Sequence, residues 1–374
     1  MKVLHFYKTY FPDDVGGVQQ VINQVIRGTE NFGVSSEVLA LSPSAVERTV
    51  VVDGHQVHRC RSLFEVASTP FSASAFLRFR ELAKTADIIH YHFPYPFTDL
   101  LHLCCRIEKP SVVTYHSDIV KQKKLLKLYR PLQNKFLKSV DRIVATSPNY
   151  LKTSNVLKDF REKASVIPIG LDKDSYPATD NRRCDYWRDL FGERFFLFVG
   201  VLRYYKGLHI LIEAAVNSIY PIVIVGAGPV EADLKSRVME LGLTNIHFLG
   251  AVDEEDKVAL LNACYALIFP SHLRSEAFGI SLLEGAMYGK PLISSEIGTG
   301  TTYINIHDET GLVVPPSDSS SLRSAMDFLW TNSQKGLQMG ERAEARYWAL
   351  FTADRMAESY YSLYQELLAE KQRY

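Results

Sequence analysis

The sequence has no long uninterrupted hydrophobic run. After Lys2 the N-terminus carries only a two-residue apolar run, whereas a secretory signal has about 7–15 apolar residues in a row. No window approaches the roughly 18 uninterrupted apolar residues that cross a bilayer. We therefore expect a soluble, cytoplasmic protein whose contact with the inner face of the cell membrane is peripheral.

The sequence has only five cysteines, and it lacks a metal-binding motif in a suitable loop. The five cysteines form no CxxC pair and their number is odd, so neither a disulfide framework nor a zinc site is indicated. The expected compartment is a reducing one. The triplet from Asp172 to Asp174 has the DxD form, but it lies in a presumed linker. We therefore expect no metal ion and no other cofactor.

The chain has no net charge. Its 42 basic residues balance 42 acidic ones. With no basic excess, no nucleic-acid-binding fold and no aromatic platform, a nucleic acid partner is not expected. The charge is uneven, however: the first 180 residues hold 24 basic against 18 acidic side chains, and the remainder hold 18 against 24. This asymmetry indicates either a partner surface on the first half or merely unequal solvated surfaces.

Short apolar runs alternate with longer amphipathic stretches along all 374 residues. This alternation is typical of βαβ units around a mostly parallel sheet, and the length suits two domains. A proline- and glycine-containing break at Pro168–Pro177 separates two such patterns. We predict an α/β protein with doubly wound domains at 1–175 and 176–350, and a C-terminal helix in 351–374 that packs back on the first. A cleft between domains is a usual place for a small-molecule site.

The most informative segment is Phe269–Glu284. A strand runs into a polar surface loop that carries Glu276, and a helix begins near Phe278. Free backbone N–H groups and the helix dipole make such a start an anion site, and Gly279 lets a ligand approach the backbone. Carboxylates on either side suit sugar hydroxyls, since each accepts two donors. Taken alone, both glutamates also fit a helix cap and a solvated helix face.

The Glu-x7-Glu spacing, with Phe-Gly after the first glutamate, resembles the retaining glycosyltransferases of family four. The resemblance extends over nearly the whole chain. It implies the GT-B fold, in which two Rossmann-like domains face one another across a cleft, with the acceptor side in the first and the nucleotide sugar in the second. By position, Glu276 would contact the transferred sugar and Glu284 the ribose. The backbone of Phe278, Gly279 and Ile280 would meet the diphosphate.

A second group of residues lies between Gly200 and Gly207. Arg203 and Lys206 at this strand end offer two cations to a diphosphate, whose charge grows as it leaves. The alternative is an ordinary solvated loop. The family's usual form has arginine directly after the first glycine, whereas Val201 stands there in this sequence. The resemblance assigns Lys206 to donor binding, with Arg203 as its partner.

The first domain contributes two further loops. Gly16 and Gly17 follow the first strand and precede a helix, where the family brings glycine backbone close to the donor; a simple turn is the alternative. His116 ends another strand, and the resemblance assigns it to the sugar or the reaction centre. A structural histidine is the alternative there. His90 and His92 end a similar strand and rank below His116.

Gly226 and Gly228 also follow a strand and precede a helix. The third glycine of a dinucleotide-binding fingerprint is missing, so the motif is a weak sign of a dehydrogenase. The resemblance makes it a helix-capping turn near the donor pocket.

Residues 121–142 are strongly basic, with eight basic side chains against one acidic, and apolar residues recur among them at helical spacing. A basic amphipathic helix is typical of a surface that binds anionic lipid. A solvated helix over the core is the alternative. The basic residues are Lys121, Lys123, Lys124, Lys127, Arg130, Lys135, Lys138 and Arg142.

The resemblance implies a hexosyltransferase that acts with retention at the anomeric carbon. Similarity to bacterial polysaccharide and O-antigen mannosyltransferases makes GDP-mannose the leading donor and a polyprenyl-diphosphate-linked or glycan acceptor its partner. His116 and Glu276 would position the sugar and stabilise charge, and neither would be a nucleophile. Alternatives are another GT-B enzyme (an epimerase or a phosphorylase), a nucleotide-dependent oxidoreductase, or a noncatalytic protein that binds sugar nucleotides.

Overall fold

The computed structural model describes residues 1–14, 16–43, 48–119 and 123–371, with the side chains of Arg48, Lys123 and Lys124 left out. The chain divides into two compact units. The first unit is Met1–Gly170 together with Ala353–Tyr374, and the second is Leu171–Thr352.

The secondary-structure elements alternate along both units. In chain order the strands are β1 (Lys2–Phe6), β2 (Ser35–Ser42), β3 (Arg48–Val52), β4 (His55–Arg61), β5 (Phe64–Val66), β6 (Thr69–Phe71), β7 (Ile88–Phe93), β8 (Ser111–Tyr115), β9 (Arg142–Ala145), β10 (Ala164–Val166), β11 (Phe196–Val199), β12 (Ile222–Val225), β13 (Ile246–Gly250), β14 (Ala266–Phe269), β15 (Leu292–Ser295) and β16 (Gly311–Val314). The helices are α1 (Gly17–Glu30), α2 (Ala73–Thr85), α3 (Pro96–Cys105), α4 (Lys123–Ser139), α5 (Pro148–Thr153), α6 (Asn181–Phe191), α7 (Leu208–Ala214), α8 (Glu231–Glu240), α9 (Glu254–Ala263), α10 (Ile280–Met287), α11 (Thr301–Ile304), α12 (Ser319–Thr331), α13 (Ser333–Leu350) and α14 (Ala353–Lys371).

An eight-stranded sheet forms the centre of the first unit, in the order β10-β9-β8-β7-β1-β2-β4-β3. Neighbouring strands are parallel except β3 and β4. The residues of β7 and β8 are all buried, as expected for central strands of a parallel sheet whose two faces are covered by helices. The strand order changes direction between β1 and β7. In open parallel sheets, ligands bind beyond the carboxyl ends of the strands at such a point.

The last helix of the chain, α14, completes the first unit. It packs on α1 so closely that a Cβ added to Gly28 would lie 2.5 Å from the Cβ of Ala357. The rings of Phe32 and Tyr361 stack beside this contact with their centroids 4.9 Å apart. The apolar residues that recur along α14 at helical spacing are buried, as the spacing predicts. They are Met356, Tyr360, Leu363, Tyr364 and Leu367.

A six-stranded, wholly parallel sheet forms the second unit, in the order β13-β12-β11-β14-β15-β16. The strand order changes direction between β11 and β14, so the loops after these two strands begin side by side. Aspartates set the starts of the helices α6, α9 and α12. Asp180, Asp253 and Asp318 each accept a hydrogen bond from a backbone N–H in the first turn.

The α/β class with parallel sheets is therefore confirmed in both units. Within the described residues, no helix has the length and the apolar character that crossing a bilayer requires.

Candidate functional site

The loops after β11 and β14 place two opposite charges in contact. Nζ of Lys206 and Oε2 of Glu276 lie 2.5 Å apart, and each side chain is only 11% exposed. The two residues are distant in sequence, but the neighbouring positions of β11 and β14 bring their loops together. The result is an ion pair largely shielded from water, where electrostatic interactions are stronger than at the surface.

Gly207 allows the two loops to approach this closely. Its φ is +72°, and a Cβ there would lie 2.0 Å from the carbonyl oxygen of Pro270. The backbone N–H of His272 donates to the carbonyl oxygen of Tyr205 at 3.0 Å, which joins the loops a second time. Because a side chain at position 207 would collide with backbone, glycine is required here.

The surroundings of Glu276 differ from the predicted ones. The surface-loop prediction is wrong, since the residue is only 9% exposed. Its Oε2 accepts hydrogen bonds from Lys206 and, at 3.3 Å, from the hydroxyl of Ser271. The Lys206 ammonium also lies 4.7 Å from the centre of the Phe269 ring. The loop after the neighbouring strand covers Glu276, and a single sequence does not show that neighbour.

The start of α10 follows a few residues after Glu276. Gly279 precedes the helix with a φ of +98°, and no side chain caps the first turn. Phe278 is buried, and Ile280 is the first helical residue. First-turn N–H groups have no partner inside their own helix. This helix start therefore offers backbone donors and the positive end of a dipole to an anion.

Glu284 lies in the second turn of α10 and already has two partners. Its Oε1 accepts hydrogen bonds from the Tyr176 hydroxyl and from Nζ of Lys257, each at 3.0 Å. Burial, together with the Glu284 carboxylate, raises the pKa of Tyr176. Burial acts to lower the pKa of Lys257, but Glu284 and Glu254 outweigh it and the pKa is raised. The carboxylate is thus held in one orientation.

Tyr176 and Lys257 were missed by sequence reasoning. Tyr176 comes from the presumed linker, and Lys257 comes from an acidic helix start in α9. No local pattern connects either residue with α10, and only the packing of α9 and the segment before α6 against that helix reveals them.

Arg203 is exposed on the loop after β11, just before the turn that contains Lys206. The Gly226–Gly228 motif packs against the backbone of this loop. A Cβ on Gly226 would lie 2.1 Å from the carbonyl oxygen of Gly200, and one on Gly228 would lie 2.4 Å from that of Leu202. The glycines are therefore explained by close backbone packing against the loop.

Gly16 and Gly17 lie at the start of α1, beyond the end of β1. Gly16 has extended backbone, and Gly17 is the first helical residue. The Asp14 carboxylate accepts a hydrogen bond from the side-chain amide of Gln19 at 2.8 Å. A Cβ on Gly16 would lie 2.7 Å from Oε1 of the same glutamine.

His116 directly follows β8, as predicted, and is buried. Its backbone N–H donates to the carbonyl oxygen of Phe93 at 3.0 Å. Its Nε2 lies 3.1 Å from Nδ1 of His92, so the lower-ranked histidine is its direct hydrogen-bond partner. Burial lowers the pKa of His116 to about 3, and the ring is neutral at neutral pH.

The DxD triplet has a structural role in the described chain. The carboxylate of Asp172 accepts a hydrogen bond from the backbone N–H of Asp174 at 3.0 Å and caps a short 3-10 turn. Of the predicted site residues, the second unit thus pairs Lys206 with Glu276 near the start of α10, with Glu284 further along that helix. The first unit places Gly16, Gly17 and His116 beyond the carboxyl ends of β1 and β8.

Two family models match the chain. The model described as "Glycosyl transferases group 1" matches residues 190–346. The model described as "Glycosyltransferase Family 4" matches residues 15–175.

Curated relatives extend over nearly the whole chain. D-rhamnosyltransferase WbpZ of Pseudomonas aeruginosa is 61% identical over 94% of this chain and 93% of its own length. O-antigen chain mannosyltransferase C of Escherichia coli is 50% identical over 99% of this chain and all of its own length.

Solved structures with lower identity share the fold. Sucrose-phosphate synthase of Thermosynechococcus elongatus has a TM-score of 0.79 and 20% identity, with 99% of each chain covered. The Anabaena HepE protein in complex with UDP-glucose has a TM-score of 0.74 and 19% identity, covering 100% of this chain and 99% of its own.

Proposed function

The chain belongs to the group 1, family 4 glycosyltransferases, and on that basis we propose that it transfers mannose from GDP-mannose to a lipid-linked or glycan acceptor in O-antigen synthesis. The mannosyltransferase relative, at 50% identity over its full length, supports this donor. The rhamnosyltransferase relative, at 61% identity, favours a second candidate, D-rhamnose, which is the 6-deoxy form of mannose.

The ion pair of Lys206 and Glu276 carries the proposal. When a nucleotide sugar binds, its diphosphate replaces Glu276 as the ion-pair partner of Lys206. The diphosphate also accepts hydrogen bonds from the backbone N–H groups at the start of α10. Glu276 then turns to the hydroxyl groups of the transferred sugar, where a carboxylate accepts two donors at once. Lys206 and the exposed Arg203 stabilise the negative charge that develops on the leaving diphosphate.

Glu284 is suited to the ribose. Both of its protein donors reach Oε1, and among the described residues none donates to Oε2. That oxygen remains to accept ribose hydroxyls. Phe278, Gly279 and Ile280 lie between the two glutamates in the sequence. In the same way, the diphosphate lies between the ribose and the sugar in the nucleotide sugar, which suits these backbone groups to the diphosphate.

We propose transfer with retention and without a metal ion or another cofactor. The acceptor hydroxyl attacks the anomeric carbon on the face from which the diphosphate leaves, and the departing phosphate takes up the acceptor's proton. His116 and Glu276 position the sugar and stabilise charge. Gly16 and Gly17 bring backbone to the donor. The cations Lys206 and Arg203 supply the stabilisation that a metal ion gives elsewhere.

The helix α4 is the proposed contact with an anionic membrane that carries the acceptor. Gln133, Phe136 and Leu137 form its buried side. Its exposed residues combine positive charge with apolar side chains, and Leu128 is 80% exposed. Such a surface binds anionic lipid headgroups and inserts apolar side chains between them. Besides Leu128, its exposed basic and large apolar residues are Leu125, Lys127, Arg130, Lys135 and Lys138, and Pro131, Asn134 and Ser139 are exposed as well. Lys121 and the side chains of Lys123 and Lys124, which the sequence also assigns to this surface, lie outside the described part.

A donor panel tests the proposed reaction. The purified chain is incubated with GDP-mannose, GDP-D-rhamnose or UDP-glucose, each with and without a polyprenyl-diphosphate-linked glycan. We expect acceptor-dependent consumption of GDP-mannose and a product one hexose larger. Preferred use of GDP-D-rhamnose would replace mannose by the second candidate. Donor turnover without an acceptor would contradict the transferase and favour an epimerase.

A further inference from the structure

Four buried histidines share one face of the first sheet. His5 lies on β1, His90 and His92 lie on β7, and His116 follows β8. The three strands are neighbours, and the register pairs His5 with His90 and His92 with Thr114. Since alternate residues of a strand point to the same face, the register places all four rings together.

Three of these rings form a hydrogen-bonded row. Nδ1 of His5 lies 3.1 Å from Nε2 of His92, and Nδ1 of His92 lies 3.1 Å from Nε2 of His116. The ring planes within the row differ by only 17° and 21°. The row runs across the sheet from the interior of β1 to the residue assigned to the donor sugar. We call His5, His92 and His116 the histidine row.

His90 does not belong to the row, although its ring stacks on that of His92. Its Nδ1 is hydrogen-bonded to the hydroxyl of Tyr364 and its Nε2 to that of Thr114, each at 2.7 Å. The Tyr360 hydroxyl lies 2.8 Å from the same threonine. His90 therefore connects the sheet to α14, and both of its nitrogens have hydroxyl partners.

Each ring of the row is a neutral imidazole with one N–H and one lone pair. Burial lowers the pKa of His5 and of His116 to about 3, and it lowers that of His92 well below its ordinary value. Each bond in the row needs one N–H between the two nitrogens. The tautomers are therefore coupled: all three rings carry the proton on Nδ1, or all three carry it on Nε2.

The inner end of the row selects between these arrangements. Nε2 of His5 is buried with no hydrogen-bond partner. With protons on Nε2, the row would end in a buried side-chain N–H without a partner, and most buried side-chain polar atoms in native proteins have one. With protons on Nδ1, only a lone pair is left without a partner. The arrangement with protons on Nδ1 is therefore favoured. It gives His116 an N–H at Nδ1, for which the described residues supply no partner.

We propose that His5 and His92 are positioning residues that hold His116 in the Nδ1–H tautomer, so that it donates a hydrogen bond to an oxygen of the donor sugar. This inference rests on the proposed sugar contact of His116. The second nitrogen of a histidine sets which tautomer the first presents, and here two further rings perform that function. With its tautomer fixed in this way, the His116 ring would not have to rotate or exchange its proton when the sugar binds.

A metal site is the competing interpretation of the same side chains. Ring nitrogens of His5, His90 and His92 all lie within 4.8 Å of one another. A metal ligand needs a free lone pair, however, and both nitrogens of His90 and of His92 already have hydrogen-bond partners. Nε2 of His5 alone remains, so the contacts favour the hydrogen-bonded row.

Nitrogen-15 NMR of the histidine-labelled, donor-free protein tests the tautomers directly. We expect neutral rings with protonated Nδ1 for His5, His92 and His116 at pH 7, assigned from single-histidine variants. Protonated Nε2 in His116 would overturn the proposal. Addition of zinc ions should leave these signals in place, and a shift of the His5 and His92 signals on zinc binding would overturn it as well.

Variants of His92 separate positioning from mere packing. His92→Phe removes the row's central hydrogen bonds, and we expect mixed tautomers in His116 and kcat lowered by about tenfold with little change in donor KM. His92→Asn can still donate to Nε2 of His116 and should restore kcat to within about threefold of wild type. Equal loss in both variants, with both folded by circular dichroism, would contradict the proposal.

His90→Asn is the matched control, because this ring is buried on the same strand and face but lies outside the row. The His116 signals should not change in this variant. The NMR result is independent of the donor's identity. If the proposed mannose donor fails while His116 shows the Nδ1–H tautomer, only the function is wrong. If GDP-mannose is used but the tautomer is Nε2–H, only the row is wrong.

Discussion

Lys206 and Glu276 form an ion pair, and the proposed function gives the lysine a phosphate partner and the glutamate a sugar partner when the nucleotide sugar binds. Each of the two charges therefore has a partner before a substrate binds. Removal of one of the two residues should therefore affect the other.

Glu276→Ala should lower kcat by a factor on the order of 100–1,000, since the proposed function makes Glu276 a group that stabilises the transition state. The buried Lys206 would lose its charged partner, so the free energy of unfolding should also fall by about 1–3 kcal/mol. Urea denaturation and steady-state kinetics measure the two effects. Glu240→Ala is the control, because Glu240 pairs with Arg237 at the surface, where ion pairs contribute roughly 0–1 kcal/mol. Wild-type turnover by Glu276→Ala would remove this residue from the mechanism.

Glu284→Gln should raise the donor KM by about tenfold with a smaller effect on kcat, because the proposed ribose contact would be present both before and during transfer. Glu254→Gln is the matched control. Glu254 also binds Lys257 but is largely exposed, so its loss should leave donor KM unchanged. If the two variants behave alike, the effect comes from the lysine and not from the ribose.

The sequence predicts the chemical groups at this site better than their partners. Glu276, Glu284 and Lys206 are found from short local motifs. Tyr176 and Lys257 are not, since their contacts with Glu284 depend on how distant segments pack. The predicted exposure of Glu276 was wrong for the same reason. The loop that covers it, with Lys206, follows a neighbouring strand, and the local sequence pattern does not reveal the strand order.

At the level of elements, the site depends on the junction between the loops after β11 and β14. Gly207→Ala should destabilise the second unit by more than about 2 kcal/mol, because a left-handed residue gains a side chain and the backbone at Pro270 must move. It should also reduce kcat, since Lys206 and Glu276 separate.

Gly242→Ala isolates the conformational part of this effect. Gly242 has a φ of +62°, but a Cβ there meets nothing within 4 Å. This variant should lose only about 1–2 kcal/mol and keep full kcat. Thermal or urea unfolding of the two proteins makes the comparison. Equal losses would show that Pro270 does not restrict position 207.

The helix α4 gives a second prediction at this scale. Lys127→Glu with Lys135→Glu should weaken binding to vesicles that contain phosphatidylglycerol by at least about tenfold, since each basic residue near an anionic surface contributes about 1 kcal/mol. Arg80→Glu with Lys84→Glu, on the exposed side of α2, makes the same charge change elsewhere in the unit. Vesicle sedimentation measures both. An equal decrease would indicate general charge attraction and not a surface on α4.

The long elements follow from the sequence, and the short peripheral ones do not. The parallel strands correspond to short apolar runs and many helices to longer amphipathic stretches, which is the alternation that predicts the α/β class. That alternation does not indicate the antiparallel edge strand β3 or the hairpin of β5 and β6. Three-residue strands carry no usable periodicity, and edge pairing depends on the neighbouring strand more than on the sequence itself.

For the whole molecule, the comparisons confirm the GT-B fold and the glycosyltransferase family, and they support a hexosyltransferase. The repeated α/β pattern predicts two domains with parallel sheets, because such sheets need helices on both faces, and the family resemblance implies the GT-B fold. The return of the chain to the first unit through α14 depends on tertiary contacts such as Gly28 with Ala357. A single sequence shows the apolar face of this helix but not the surface that covers it.

A crystal structure with GDP-mannose bound would test the central claim most directly. We expect the diphosphate at the backbone of Gly279 and Ile280 with Lys206 on its oxygens. Glu276 should lie within hydrogen-bond distance of the mannose and Glu284 of the ribose. A diphosphate bound away from the start of α10, with Lys206 and Glu276 still paired with each other, would contradict the account.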